Sequence, residues 1–158
     1  MKNLLFIFIF SILTNTNLLA NSDIKYLKIA PNIEKPKGLF ILFVGFGENI
    51  EVVKEQIIID DYFYNNGYAT LIFSYNSNFY LNNENYNVIK EVINHEINNK
   101  TENNLIFCGF SLGGNIALQY IYQSKLENST LKINKLMIID SPVNIFFKFV
   151  NQKVAFAS

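Results

Sequence analysis

Apolar residues fall in short blocks separated by polar stretches, and the blocks alternate between two spacings. Leu39-Phe40-Ile41-Leu42-Phe43-Val44, Ala69-Thr70-Leu71-Ile72-Phe73, Leu105-Ile106-Phe107-Cys108 and Leu136-Met137-Ile138-Ile139 are continuous or nearly so. Runs of that length with no polar face are predicted to be strands covered on both sides. A weaker strand is predicted from Ile24 to Ala30, closed by Pro31. Between these blocks the spacing becomes helical. Ile50 to Asn65 carries Val53, Ile57, Ile58 and Tyr62 near one face, and Asn66-Gly67 is predicted to stop it, because glycine accepts the left-handed conformation that closes a helix. Glu84 to Asn98 places Val88 and Val92, and Ile89, Ile93 and Ile97, four residues apart; Leu112 to Leu126 is the third helical stretch.

Uniformly apolar strands separated by helices predict crossover connections. The expected class is therefore α/β: a three-layer sandwich with a mainly parallel sheet. No internal repeat or linker interrupts it, so residues 22–158 are expected to form a single layered domain, incomplete at its far end. Residues 1–20 follow a different logic. Lys2 precedes the apolar run from Leu4 to Phe10 with Ile12-Leu13, and a polar patch leads to Ala20. That is the pattern of an export signal, and its apolar stretch is shorter than the about 20 residues a spanning helix needs. A secreted or periplasmic location is expected, with an uncleaved leader as the alternative membrane anchor; membrane contact is expected only through the leader.

Composition narrows the chemistry. Lysine plus arginine and aspartate plus glutamate number 13 each, so no cationic field exists to hold a phosphate backbone and no nucleic-acid partner is expected. Cys108 is the single cysteine and His95 the single histidine. One cysteine cannot form an internal bridge, and no compact ligand set for a metal is present. The glycine segments match neither phosphate-cradling pattern, with no Gly-Lys-Ser/Thr and no Gly-x-Gly-x-x-Gly. No cofactor and no metal are expected.

Chemistry concentrates at Gly109-Phe110-Ser111-Leu112-Gly113, which lies between an apolar strand and a helix. Such strings also occur in glycine-tolerant loops without purpose. Here the flanking elements matter: a sharp strand-to-helix turn leaves little room at its two glycines and lifts the serine hydroxyl above the sheet edge. The next helix starts with unpaired N–H groups, that of Leu112 being placed to meet an oxygen gaining negative charge. A second glycine loop, Val44-Gly45-Phe46-Gly47, ends the first strong strand, and parallel strands bring their carboxyl ends to one rim. Phe46 N–H is the candidate for the other donor.

On Leu42 to Gly47, Gly109-Phe110-Ser111-Leu112-Gly113-Gly114-Asn115 and Met137-Ile138-Ile139-Asp140-Ser141-Pro142-Val143, the chain resembles the α/β-hydrolase family across roughly residues 36–150. The resemblance implies a nucleophilic Ser111, an oxyanion hole from Phe46 and Leu112, and hydrolysis of an ester, amide or thioester through an acyl-enzyme. Members often carry His-Gly where this chain has Val44-Gly45, a departure that leaves backbone donors intact. Small-molecule or acyl substrates are the implied partners.

The remaining machinery is not legible. A serine hydroxyl needs a base, itself oriented by a carboxylate, and the family order is serine, acid, histidine. His95 precedes Ser111 and borders an apolar helix stripe, which predicts packing or solvent exposure. Asp140 ends the fourth strong strand: either it is the acid, or it orders the loop at Ser141-Pro142 while the acid follows a later strand. Asp60-Asp61, Glu48, Glu51 and Glu55 are read as charges on or near the first helix. The expectation is a hydrolase that is inactive as these 158 residues, or alternatively a non-catalytic hydrolase-like fragment binding an acyl ligand or a partner. Beyond Pro142, Ile145-Phe146-Phe147 and Phe149-Val150 add apolar surface, and an uncovered sheet edge predicts self-association.

Overall fold

The computed structural model describes residues 24–56, 58–76, 79–100, 104–129 and 131–141. The leader expected at residues 1–20 and the aromatic stretch from Pro142 onward lie outside the described residues. Among those described, strands and helices alternate as β1 (Ile24–Ile29), β2 (Leu39–Phe43), α1 (Ile50–Gln56), α2 (Ile59–Asn65), β3 (Ala69–Tyr75), α3 (Asn83–Lys100), β4 (Leu105–Phe110), α4 (Leu112–Leu126) and β5 (Ile133–Ile139). They build a sheet of order β1-β3-β2-β4-β5. β1 runs antiparallel to β3, and every other neighbouring pair is parallel.

The sheet is covered on both faces, which is why β2 has no polar position. Leu39, Ile41 and Phe43 turn to one side, where they pack with Ile89 and Ile93 of α3 and Ile116 and Tyr120 of α4. Phe40, Leu42 and Val44 turn to the other, against Ile50 and Val53 of α1 and Phe63 of α2. Alternating side chains of one strand thus feed two separate cores. Phe43 stacks on Phe73 with ring centroids 5.4 Å apart and meets Phe107 at 6.0 Å. Polar ties fix the helices in place: Lys28 on β1 pairs with Glu96 on α3, while Tyr86 Oη and Lys90 Nζ of α3 both donate to Glu127 Oε2 beyond α4, at 3.0 and 2.6 Å.

The pattern predicted one helix from Ile50 to Asn65, and the structure has two of seven residues each. The break falls between Gln56 and Ile59, and Ile58 and Ile59 bring stiff β-branched side chains of slightly lower helix propensity to the start of α2. Asp60 and Asp61 then occupy the first turn of α2, where carboxylates favour a helix start. Asp60 is not merely a surface charge, since it is 2% exposed and its Oδ2 has no hydrogen-bond partner among the described residues. Burial, and then the charge of Asp61, raise its pKa above the ordinary carboxylate value, against smaller opposing effects from backbone N–H groups and Lys54.

A carboxyl whose folded pKa is raised binds its proton more tightly in the folded state. Its contribution is most favourable below the unfolded value and is lost as pH rises through the folded one. Asp60→Asn is accordingly expected to stabilise the fold at pH 7 by about 1 kcal/mol. The gain should shrink as pH falls toward about 4, where the free carboxyl is itself protonated. Urea denaturation of both forms across that range checks it; a gain that stays constant with pH would show that Asp60 carries no penalty as an anion.

At the other side of the sheet, β5 is the edge strand among the described residues, and none of its residues is buried. Leu136 and Ile139 are each 40% exposed. The expected fourth strand is present and begins three positions earlier than its apolar run, at Ile133, but the residues described leave its faces largely open. Below it, a hollow of about 380 Å³ opens between α2 and the sheet, lined by Tyr62, Phe63, Ile106 and Met137 among others.

Candidate active site

Strand register sets the site. Phe43 of β2 lies opposite Gly109 of β4, and Gly109 lies opposite Ile138 of β5. Each chain continues two residues past that level, so Gly45, Ser111 and Asp140 arrive together at the carboxyl rim of three adjacent parallel strands. The two glycine loops and the aspartate singled out in the sequence therefore share one edge. A hydrogen bond from Ser111 N to Ile139 O at 2.9 Å laces the serine turn to the end of β5.

The turn itself is strained. Ser111 has φ 51° and ψ −122°, a left-handed φ that costs an L-residue of order 1–3 kcal/mol. Three glycines hold it there by close approach. A Cβ on Gly109 would lie 2.4 Å from Gly114 Cα, and one on Gly113 would lie 2.0 Å from Phe43 O and 2.5 Å from Val44 O. A Cβ on Gly114 would meet Ser141 Oγ at 2.5 Å. α4 is thus pressed main chain against main chain onto the end of β2, and against the side chains of Ile138 and Ser141 at the end of β5. Ser111 is the N-cap of α4 without any side-chain capping bond, so its hydroxyl is not used to close the helix.

Leu112 is the first residue of α4, where N–H groups have no partner within the helix. Phe46 sits in the loop after β2 and is 61% exposed, and its N–H has no partner among the described residues. Gly45 N–H is committed, donating to Glu48 Oε2 at 2.7 Å. The Tyr75 hydroxyl, at the end of β3, donates to Val44 O. Glu48 and Tyr75 are the residues of this rim that pattern reasoning missed. The pattern places Glu48 only as a charge near the first helix and does not single out Tyr75; the folded loop shows what they hold.

Asp140 is exposed and has φ 47°, a conformation aspartate tolerates better than most residues. His95 is exposed on α3 and far from the rim. Its neighbour Glu96 reaches Lys28, which is level with Leu71 in the amino-terminal half of β3. At 1.5 Å per residue, His95 lies about 18 Å down the helix from Asn83. The fold therefore does not bring this histidine to Ser111. Cys108 is buried within β4, and burial pushes its thiol pKa up to about 11, which leaves little thiolate for chemistry. Among the described residues no group of three or more histidine, cysteine, aspartate or glutamate side chains gathers in a metal-binding arrangement, and no helix is long and apolar enough to cross a membrane.

No protein-family model matches the chain, and no curated protein matches it. Solved structures do. An esterase of Pyrobaculum calidifontis superposes with a TM-score of 0.61 at 16% identity, over 77% of this chain and 42% of its own. A bacterial heroin esterase gives 0.59 at 15%, over 73% of this chain and 38% of its own. A thermostable esterase of Pseudomonas putida gives 0.57 at 20%, over 72% and 38%. The chain thus spans about two fifths of the length of these structures. With its mostly parallel sheet and helices on both faces, the chain has an incomplete α/β-hydrolase fold.

Proposed function

We propose that this rim is the nucleophile half of a serine hydrolase site for a carboxylic ester, or the related amide or thioester, working through an acyl-enzyme. The observation that carries the reading is the left-handed Ser111 on a turn with no room for side chains at its glycines. Strain of this kind persists only where surrounding structure over-determines it, and it concentrates at functional positions. In the proposed step Ser111 Oγ attacks the acyl carbon and loses its proton to a base. The carbonyl oxygen becomes an oxyanion facing the N–H groups of Phe46 and Leu112. Collapse of the tetrahedral intermediate expels the alcohol and leaves the acyl group on Ser111, and water then releases it.

The base is supplied from outside the described rim. His95, the chain's one histidine, stands at the opposite half of the sheet, and Asp140 is the carboxylate at the adjacent strand end that can serve as the orienting acid. The same placement of His95 favours a second reading, a non-catalytic hydrolase-like protein that at most binds an acyl ligand or partner. Chemical rescue separates the two. An alkyl fluorophosphonate should modify Ser111 of the purified chain slowly, and added imidazole, acting as the base, should speed the reaction at a pH where it is neutral. Ser111→Ala should remove the adduct. If mass spectrometry finds no adduct on Ser111 at any imidazole concentration, the hydrolase reading is wrong and the binding reading stands.

A further inference from the structure

The turn between β2 and α1 is gripped at both ends of a single peptide unit. Val44 C=O and Gly45 N–H belong to the same plane; Tyr75 Oη donates to the oxygen and Glu48 Oε2 accepts from the nitrogen at 2.7 Å. A carboxylate acceptor makes that second bond stronger than a neutral one. The next peptide unit is oriented as well, because Glu48 N–H donates back to Gly45 C=O at 3.4 Å. In a trans peptide the carbonyl and the following N–H point in opposite directions. With Gly45 C=O turned toward Glu48, Phe46 N–H must turn away from it.

The grip leaves little freedom. A Cβ on Gly45 would lie 2.8 Å from Glu48 Oε2, so the carboxylate fills the space a side chain would take. Tyr75 is 5% exposed and stacks on Phe79 with centroids 4.5 Å apart. Gly47 completes the turn with φ 68°. Burial and then the nearby charge of Glu48 hold the Tyr75 pKa well above its ordinary value, so the hydroxyl keeps its proton and remains a donor.

We propose that Glu48 and Tyr75 are positioning residues: they clamp the Val44–Gly45 peptide and so aim Phe46 N–H at the oxygen of an acyl group on Ser111. The assignment rests on the hydrolase reading for its chemical purpose. The clamp itself is a property of the loop and is tested separately.

Amide hydrogen exchange by NMR on the whole chain tests the clamp. Gly45 N–H should exchange slowly and resonate downfield, while Phe46 N–H exchanges fast. Glu48→Ala should release the Gly45 amide while the core amides of β2 and β4 stay protected, with a small drop in thermal midpoint for the buried N–H left unpaired, and Glu48→Gln, which keeps an acceptor oxygen, should retain protection. A Gly45 amide equally fast in wild type and Glu48→Ala would overturn the clamp. Imidazole-assisted phosphonate labelling of Ser111 tests the purpose. Glu48→Ala should slow it by about tenfold, less than the loss of a whole oxyanion donor, and Glu48→Gln should recover most of it. Equal rates in all three forms would overturn the positioning role. Absence of labelling in every form rejects the hydrolase reading and leaves the amide measurement to decide the clamp. Tyr75→Phe removes the other half of the grip and should behave as Glu48→Ala does; a wild-type rate there would remove Tyr75 from the proposal.

Discussion

Gly113→Ala is expected to destabilise the protein by about 3 kcal/mol or more, at the upper end of what overpacking costs. The added methyl would lie 2.0 Å from Phe43 O and 2.5 Å from Val44 O. Both obstacles are main-chain atoms of a buried strand and its continuation, so no side chain can swing away. α4 would have to lift off β2. A loss of that size is a large part of the 5–15 kcal/mol by which domains are usually stable. The matching control is Gly47→Ala, where nothing stands within 4 Å but φ is 68°. There the cost should be only the about 1–2 kcal/mol of left-handed strain. Urea denaturation ranks the two. If Gly113→Ala were no worse than Gly47→Ala, the close approach of α4 to β2 would be wrong. Lifting α4 also separates Leu112 and Ser111 from the 44–47 loop, so Ser111 labelling should fall together with stability.

Ser111→Gly should move stability and chemistry in opposite directions. Ser111 holds φ 51° and ψ −122° against its own Cβ, a strain of order 1–3 kcal/mol. Glycine relieves it while costing roughly 0.5–1 kcal/mol in unfolded-state entropy, for a net gain of about 1 kcal/mol. Ser111→Ala keeps the Cβ and therefore keeps the strain, so its midpoint should stay near wild type. Both variants lose the hydroxyl and with it any phosphonate adduct. The informative comparison is glycine against alanine. Equal stabilities would mean that the turn is unstrained, and the observation carrying the functional reading would fall.

The contrast between Glu48 and Asp140 shows where reading by pattern stops. Both are carboxylates past the end of an apolar strand, Asp140 directly after β5 and Glu48 a few residues after β2. Asp140 could be placed at the rim from sequence, because a strand end in a parallel sheet has a known address. Glu48 lies only three residues past Gly45, yet its bond to Gly45 N–H depends on how the loop turns back on itself. No periodicity encodes that turn. Asp60 failed to stand out for a similar reason. A carboxylate beside another carboxylate at a helix start looks solvated, and its burial emerges only once α2 packs against the sheet.

What the chain determines by itself is local and repetitive. The six apolar residues Leu39 to Val44 require a strand covered on both faces, and each short apolar block with its helical successor repeats that demand. Gly109, Ser111 and Gly113 mark a tight strand-to-helix turn because only small residues fit one. These are properties of neighbours in sequence, fixed by sterics and by the need to bury apolar surface. The tertiary structure decided the rest. It placed β1 antiparallel at the far edge, split the first helix, set Phe43, Gly109 and Ile138 level with one another, and put His95 at the half of the sheet away from Ser111. Each of these depends on contacts between segments far apart along the chain, whose pairing is settled by packing and register, so the hydroxyl could be located from its neighbours in sequence while the separation of His95 from it emerged only in three dimensions.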